Sequence, residues 1–281
     1  MKEFKDRVAV VTGGASGIGR ALADRFGAEG MKVVLADVEE GALRQAEAEM
    51  REKGVDVIGV RTDVSKPEEM EKLAQQTLDA FGAVHVVCNN AGVAGAWGPA
   101  WANTLDDWNW IMGVNLWGVI HGVRTFVPIM LEQGDEGHIV NTASLAGLMP
   151  GRGIYGVTKQ AVVALSESIY NDLKMAQSKI GVSVLCPGWV DTNIADASRN
   201  RPAELAKTVE ALPDEQREMM DATVRNFLKT GLQPSDIAEQ VLEGVRDDKL
   251  YIITHPDMDF VFRQRFEDIM SRTNPTPRML G

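Results

Sequence analysis

Seven short, nearly unbroken apolar runs rich in valine and isoleucine punctuate the chain, at 8–12, 32–36, 55–60, 84–88, 138–142, 182–186 and 250–253. Runs that stay apolar at successive positions, rather than alternating, suit strands covered on both faces. Between them, apolar residues recur with helical period over 17–29, 39–53, 67–81, 104–131, 155–178 and 234–246. This alternation predicts right-handed crossovers and an α/β fold: a doubly wound, seven-stranded parallel sheet with helices on both faces. The whole of 1–281 is expected to be a single domain. Two stretches break the rhythm: a polar, helix-prone insert at 193–233, and a C-terminal extension at 255–281 carrying Phe260, Phe262, Phe266 and Ile269.

Punctuation supports the pattern. Gly30, Gly54 and Gly181 are placed to close the first, second and fifth helices. Ser65 and Pro67 are placed to open the third, and Thr104 with Asp107 has the spacing of a capping box.

The first strand runs into Thr12-Gly13-Gly14-Ala15-Ser16-Gly17-Ile18-Gly19, and a helix follows. Glycines there permit a tight turn and let backbone amides at a helix N-terminus approach a pyrophosphate. An ordinary strand–helix loop is the plain alternative, and the order strand, turn, helix at the first crossover favours the nucleotide. The second strand then leads to Asp37, whose carboxylate can accept both ribose hydroxyls and would repel a 2′-phosphate. No lysine or arginine follows Asp37 directly or lies inside the turn, so NAD is expected ahead of NADP. A helix-capping acid is the other reading of Asp37.

Charge and chemistry narrow the class further. With 29 basic and 40 acidic residues the chain carries a formal −11, which disfavours nucleic acid and anionic membrane as partners. Cys88 and Cys186 sit in apolar runs and read as buried free thiols; the four histidines are scattered, and no metal site is expected. The first residues form no apolar leader, and no segment approaches a membrane-length uninterrupted apolar run, so a reducing cytoplasm is the expected setting.

Tyr155 and Lys159 lie four apart at the start of an apolar-periodic helix, on one face of it. A phenol with its usual pKa of about 10 is a poor base near neutrality. A neighbouring ammonium and a positively charged nicotinamide ring both favour the phenolate, so the pair is expected to accept a proton in alcohol oxidation and donate one in carbonyl reduction.

Together these motifs resemble the short-chain dehydrogenase/reductase family, over essentially residues 7–192. The likeness rests on TGGASGIG, on Asp63-Val64, on Asn89-Asn90-Ala91-Gly92, on Pro187-Gly188-Trp189-Val190-Asp191-Thr192 and on the Tyr155/Lys159 spacing. It implies a Rossmann-type fold and a cofactor site including Gly13, Ser16, Gly17, Ile18, Gly19, Asp37, Asp63, Val64, Asn90, Ala91, Gly92, Tyr155, Lys159, Pro187, Gly188, Val190 and Thr192. It assigns Ser144 to the substrate oxygen, and Asn115 to bending its helix and holding a water that links Lys159 to solvent. Ser144 stands 11 residues before Tyr155, two closer than the family pattern, so the loop between them is shortened; Thr142 is the alternative hydroxyl. The resemblance also implies a homodimer or homotetramer paired through the helices at 112–131 and 155–178.

Five of the six tryptophans lie between 97 and 117. Trp97 and Trp101, with Trp189 beside the last motif, are candidates to line an apolar pocket for a bulky or aromatic secondary alcohol or ketone. Trp108, Trp110 and Trp117 have helical spacing and read as core or interface. The insert offers Ile194, Leu205, Val209, Leu212, Met219, Met220 and Phe227 for an inward face, either as a lid or as a fixed second layer. An NADP-dependent carbonyl or acyl reductase and a catalytically idle nucleotide-binding regulator are the competing functions.

Overall fold

A computed structural model describes residues 1–95, 97–206 and 210–275; Val209 lies outside the described residues. Seven strands form one parallel sheet in the order β3-β2-β1-β4-β5-β6-β7. They are β1 (Val8–Thr12), β2 (Lys32–Asp37), β3 (Val57–Arg61), β4 (Val86–Asn89), β5 (Gly137–Thr142), β6 (Ile180–Cys186) and β7 (Tyr251–Ile253). Every residue of β1, β4, β5 and β6 is buried, which is why those runs read as unbroken apolar stretches.

The flanking helices are α1 (Gly17–Ala28), α2 (Glu40–Glu52), α3 (Pro67–Phe81), α4 (Leu105–Met112), α5 (Gly118–Gln133), α6 (Gly153–Met175), α7 (Asp214–Lys229), α8 (Pro234–Arg246) and α9 (Asp259–Ser271). One apolar core joins α1, α2 and α8 to one sheet face through residues such as Leu22, Phe26, Met50 and Val241. Another joins α3, α5 and α6 to the other face through Leu73, Phe126 and Ile169.

Three local expectations change. The stretch 104–131 is not one α-helix: a π turn, Gly113–Trp117, separates α4 from α5. The run Leu105–Gln133 is long and apolar enough to cross a membrane, but here it packs against α3, β4 and α6. Gly181 lies inside β6, not after a helix, because α6 ends earlier, at Ala176 with Gln177 in the left-handed region at φ 52°. Lys66 occupies the cap of α3, while Ser65 bonds Asp63 instead. The capping box of Thr104 and Asp107 is present as read. The insert begins as 3-10 turns and ends in α7, and the phenylalanine-bearing extension forms α9.

In this strand order the connections reverse direction between β1 and β4, so their carboxyl ends diverge and open a crevice, the position at which doubly wound sheets hold ligands.

Candidate active site

A cavity of about 1110 Å³ occupies that crevice and extends beneath the insert. Its floor is fixed by Thr12. The Thr12 hydroxyl donates to the Cys88 carbonyl (3.2 Å) and accepts from the amides of Asn90 (2.9 Å) and Ala91 (3.1 Å), binding the end of β1 to the end of β4. Gly13 has φ +64°, and a Cβ there would lie 3.0 Å from the Ala91 Cα. Gly19 does not line the cavity; a Cβ there would fall 2.0 Å from the Gly13 carbonyl oxygen, so its role is to let helix and turn meet. Ser16 caps α1 without a side-chain bond to the helix amides, and Ser16, Gly17 and Ile18 all face the cavity.

Asp37 closes β2. Its carboxylate accepts from the amides of Ala15 (3.1 Å) and Glu39 (3.0 Å); burial raises its pKa, and the amide bonds oppose that rise. Asp63 accepts from the amide and hydroxyl of Ser65 (3.0 and 2.7 Å), with Val64 beside it on the cavity wall. One cation in this region escapes any local reading of the sequence. Arg199, from the insert, places Nη2 2.6 Å from Glu39 Oε1 and holds that carboxyl below the usual range.

Tyr155 and Lys159 stand in the first turns of α6. The Lys159 ammonium lies 5.6 Å from the Tyr155 ring centroid and donates to the Thr142 carbonyl at 2.9 Å. Burial pushes Lys159 down to about 8. Burial also raises the Tyr155 phenol, opposed by a hydrogen bond with Ser144. The protein's own groups therefore leave the phenol above its ordinary value, and the fall expected from Lys159 together with a positively charged nicotinamide ring would need the bound ring. Ser144, and not Thr142, is the hydroxyl that acts on the phenol; the Thr142 hydroxyl turns to Asn90 Oδ1 at 3.3 Å.

Asn115 lies in the π turn, fully buried. Its Oδ1 accepts from the Val93 amide (2.8 Å), and its Nδ2 donates to the Val93 carbonyl (2.9 Å) and to Thr158 Oγ1 (3.4 Å). With both amide protons engaged, a water linking Lys159 outward would rest on the carbonyls that a π turn frees, rather than on this side chain. A Cβ at Gly92 would come 3.5 Å from Asn115 Oδ1 and 3.6 Å from Lys159 Nζ, ordinary contact distances, so Gly92 simply lies beside both groups.

The loop after β6 forms the opposite wall, with Pro187, Gly188, Val190 and Thr192 facing the cavity. Pro187 accepts from the Leu145 amide (2.9 Å) and the Ser144 hydroxyl (3.3 Å). His255, unread as functional from the sequence, clamps the same loop. Its Nδ1 accepts from the Gly188 amide (3.1 Å), which leaves Nε2 to donate to the Trp189 carbonyl (3.1 Å).

The far end is apolar. Trp189 and Trp97 line it, with Met149, Leu212, Met220 and Val224. Trp97 Nε1 donates to Asp221 at 2.5 Å, tying the loop after β4 to α7. Trp101 does not join them: it is 89% exposed and lies outside the cavity. Trp110, read as core, is buried yet also borders the cavity, and the Arg201 guanidinium covers its ring at 5.2 Å while pairing with Asp107 at 2.6 Å.

This geometry agrees with comparisons to known proteins. The family model described as short chain dehydrogenase matches residues 7–203. A short-chain dehydrogenase/reductase from Burkholderia phymatum, solved in complex with NAD, is 46% identical, with TM-score 0.96 over 100% of both chains. A C alpha-dehydrogenase of Sphingobium sp. is 37% identical over 277 residues, 98% of this chain and 89% of that protein. A CLA biosynthesis dehydrogenase/reductase of Lactiplantibacillus plantarum is 32% identical over 278 residues, 98% of this chain and 97% of that protein.

Proposed function

The chain belongs to the short-chain dehydrogenase family, oxidoreductases acting on CH–OH donors with a nicotinamide cofactor, and from that premise we propose that it moves hydride reversibly between NAD and a bulky or aromatic secondary alcohol/ketone pair. The observation that carries this reading is that Ser144, Tyr155 and, one turn further along α6, Lys159 line one cavity, at the junction of the glycine-turn crevice and an apolar chamber.

The residues fit the cofactor. Asp37 would take the adenosine ribose hydroxyls, the turn Gly13–Gly19 with Ser16 and Ile18 the pyrophosphate, and Asp63 with Val64 the adenine edge. Asn90, Ala91 and Gly92 would border the nicotinamide ribose with Tyr155 and Lys159; Pro187, Gly188, Val190 and Thr192 would meet the carboxamide end. When bound, NAD supplies the hydride-accepting ring and, oxidised, a positive charge beside the phenol. Ser144 orients the substrate oxygen. Tyr155 takes its proton in oxidation and returns one in reduction, and the Lys159 ammonium favours the phenolate formed. NAD over NADP is supported by Asp37 at the end of β2 and by Arg199 being engaged with Glu39. The described residues of 193–233 form one wall of the substrate chamber. Pairing of subunits through α5 and α6 is supported by Trp117, Leu131 and Val157, each about half exposed on those helices or the π turn between them.

A nicotinamide absorbance assay over varied secondary alcohols and ketones, with both cofactors, tests the reading. Tyr155→Phe should lower turnover by about three orders of magnitude and leave NADH affinity within a few-fold. Tighter binding of NADPH than NADH would overturn the cofactor assignment. Tight NADH binding without turnover of any substrate would favour the idle nucleotide-binding regulator.

A further inference from the structure

The loop just before Tyr155 holds three successive residues in the left-handed region: Gly151 at φ +75°, Arg152 at φ +93° and Gly153 at φ +55°. Glycine adopts that region freely, and a residue with a Cβ does not. Two of the three positions carry the residue the backbone wants; the middle one carries arginine. Strained backbone that keeps a particular side chain marks a position where the side chain is needed.

That side chain is half-buried on the cavity wall, beside Met149 and Tyr155. Its guanidinium has no ion-pair or hydrogen-bond partner among the described residues, and burial alone moves its pKa, downward. Arg199, the other arginine bordering the cavity, is neutralised by Glu39. The same cavity has apolar lining from Met149, Trp97 and Leu212. A planar cation left unpaired in such a wall is built to meet a carboxylate, which its fork can bind with two parallel hydrogen bonds.

We infer that Arg152 anchors an anionic group of the substrate, so that the substrate class is a secondary alcohol or ketone on an apolar body that also bears a carboxylate. This rests on the hydride-transfer reading above and names its substrate. Arg152 and Tyr155 leave the same end of α6, so the anchored carboxylate would fix the orientation in which the carbinol carbon meets Ser144 and Tyr155.

The test compares para-acetylbenzoate and its naphthalene homologue with their methyl esters, which keep the shape and lose the charge. Binding is read by fluorescence in saturating NADH, in a Tyr155→Phe background so that turnover plays no part. The acids should bind at least about tenfold more tightly than the esters. Arg152→Gly, which suits the left-handed backbone and should fold at least as well, should bring that ratio close to one. Arg152→Lys should restore part of it. Equal affinity of acid and ester, no binding of the acids, or a ratio that survives Arg152→Gly would overturn the inference. Turnover is read separately with Tyr155 in place: an Arg152-dependent preference without reduction of the ketone defeats the hydride-transfer reading and leaves the anion site standing. Reduction of acid and ester alike does the reverse.

Discussion

The indole of Trp189 stacks on the ring of Phe227, centroids 5.0 Å apart and planes 16° from parallel. This pair joins the loop after β6 to α7 and seals one side of the chamber. Stacked aromatic pairs contribute about 1 kcal/mol beyond the area they bury. Phe227→Ala is expected to raise KM for the ketone about tenfold with a smaller effect on kcat, because it loosens the chamber and leaves Tyr155 and Ser144 in place. Steady-state kinetics with NADH saturating checks it; a loss confined to kcat would mean that the pair acts on the chemistry.

On the NAD reading proposed above, Asp37 is the residue on which cofactor choice would turn. Hydrogen bonds to a charged group contribute about 1.5–3 kcal/mol each, so Asp37→Asn should weaken NADH binding by roughly tenfold to a hundredfold. NADPH should lose far less, because the mutation also removes a repulsive charge. The comparison of the two dissociation constants is the measurement, and parallel losses would remove Asp37 from the discrimination.

Lys159 titrates at about 8 in the fold, against 10.5 for an ordinary lysine, because burial disfavours its ammonium. A base depressed in this way destabilises the folded state fully below about 8. That penalty fades as pH climbs from about 8 to 10.5, where the unfolded chain also releases its proton. Lys159→Met should therefore stabilise the protein more near neutrality than in strong alkali, by about 3 kcal/mol. Denaturant unfolding of both proteins across that range, without nucleotide, reads the difference; a constant difference would show that Lys159 keeps its ordinary value. The same variant should lose nearly all turnover.

His255 reaches the site from beyond β7. Removing it as His255→Ala strands the Gly188 amide and takes one donor from the Trp189 carbonyl, at a cost of about 1–3 kcal/mol. We expect NADH affinity to fall roughly tenfold, with His255→Gln recovering part of it. Unchanged affinity in His255→Ala would show that the Leu145 amide on the Pro187 carbonyl and the Leu232 amide on the Trp189 carbonyl (3.0 Å) hold the loop without the imidazole.

Much of this was legible in the chain. Strands buried on both faces draw mostly apolar residues, and the glycine turn must be glycine where Gly13 and Gly19 meet backbone at contact distance. What was hidden depends on long-range placement. Arg199 and His255 become part of the site only when the insert and the segment after β7 fold back, and no local pattern announces either. Trp97 and Trp101 occupy the same loop and look alike in sequence, yet one lines the cavity and the other stands in solvent. The π turn at Asn115 left little trace in the periodicity, because a single widened turn barely disturbs it, and only the resemblance, which made Asn115 a helix-bending residue, pointed there.

The insert is fastened at separate points: Arg199 and Asn200 to Glu39, Arg201 to Asp107, and Trp97 to Asp221. Glu39 lies two residues past Asp37, so a dinucleotide anchored on Asp37 sits behind that fastening. Its exit would require the Glu39 contacts to break, whereas a ketone could leave past the exposed Met219. On the hydride-transfer reading, the expected order is nucleotide first in and last out, with dissociation of the reduced nucleotide setting the ceiling on alcohol oxidation. Glu39→Gln should raise that ceiling, and chemically different alcohols should share it.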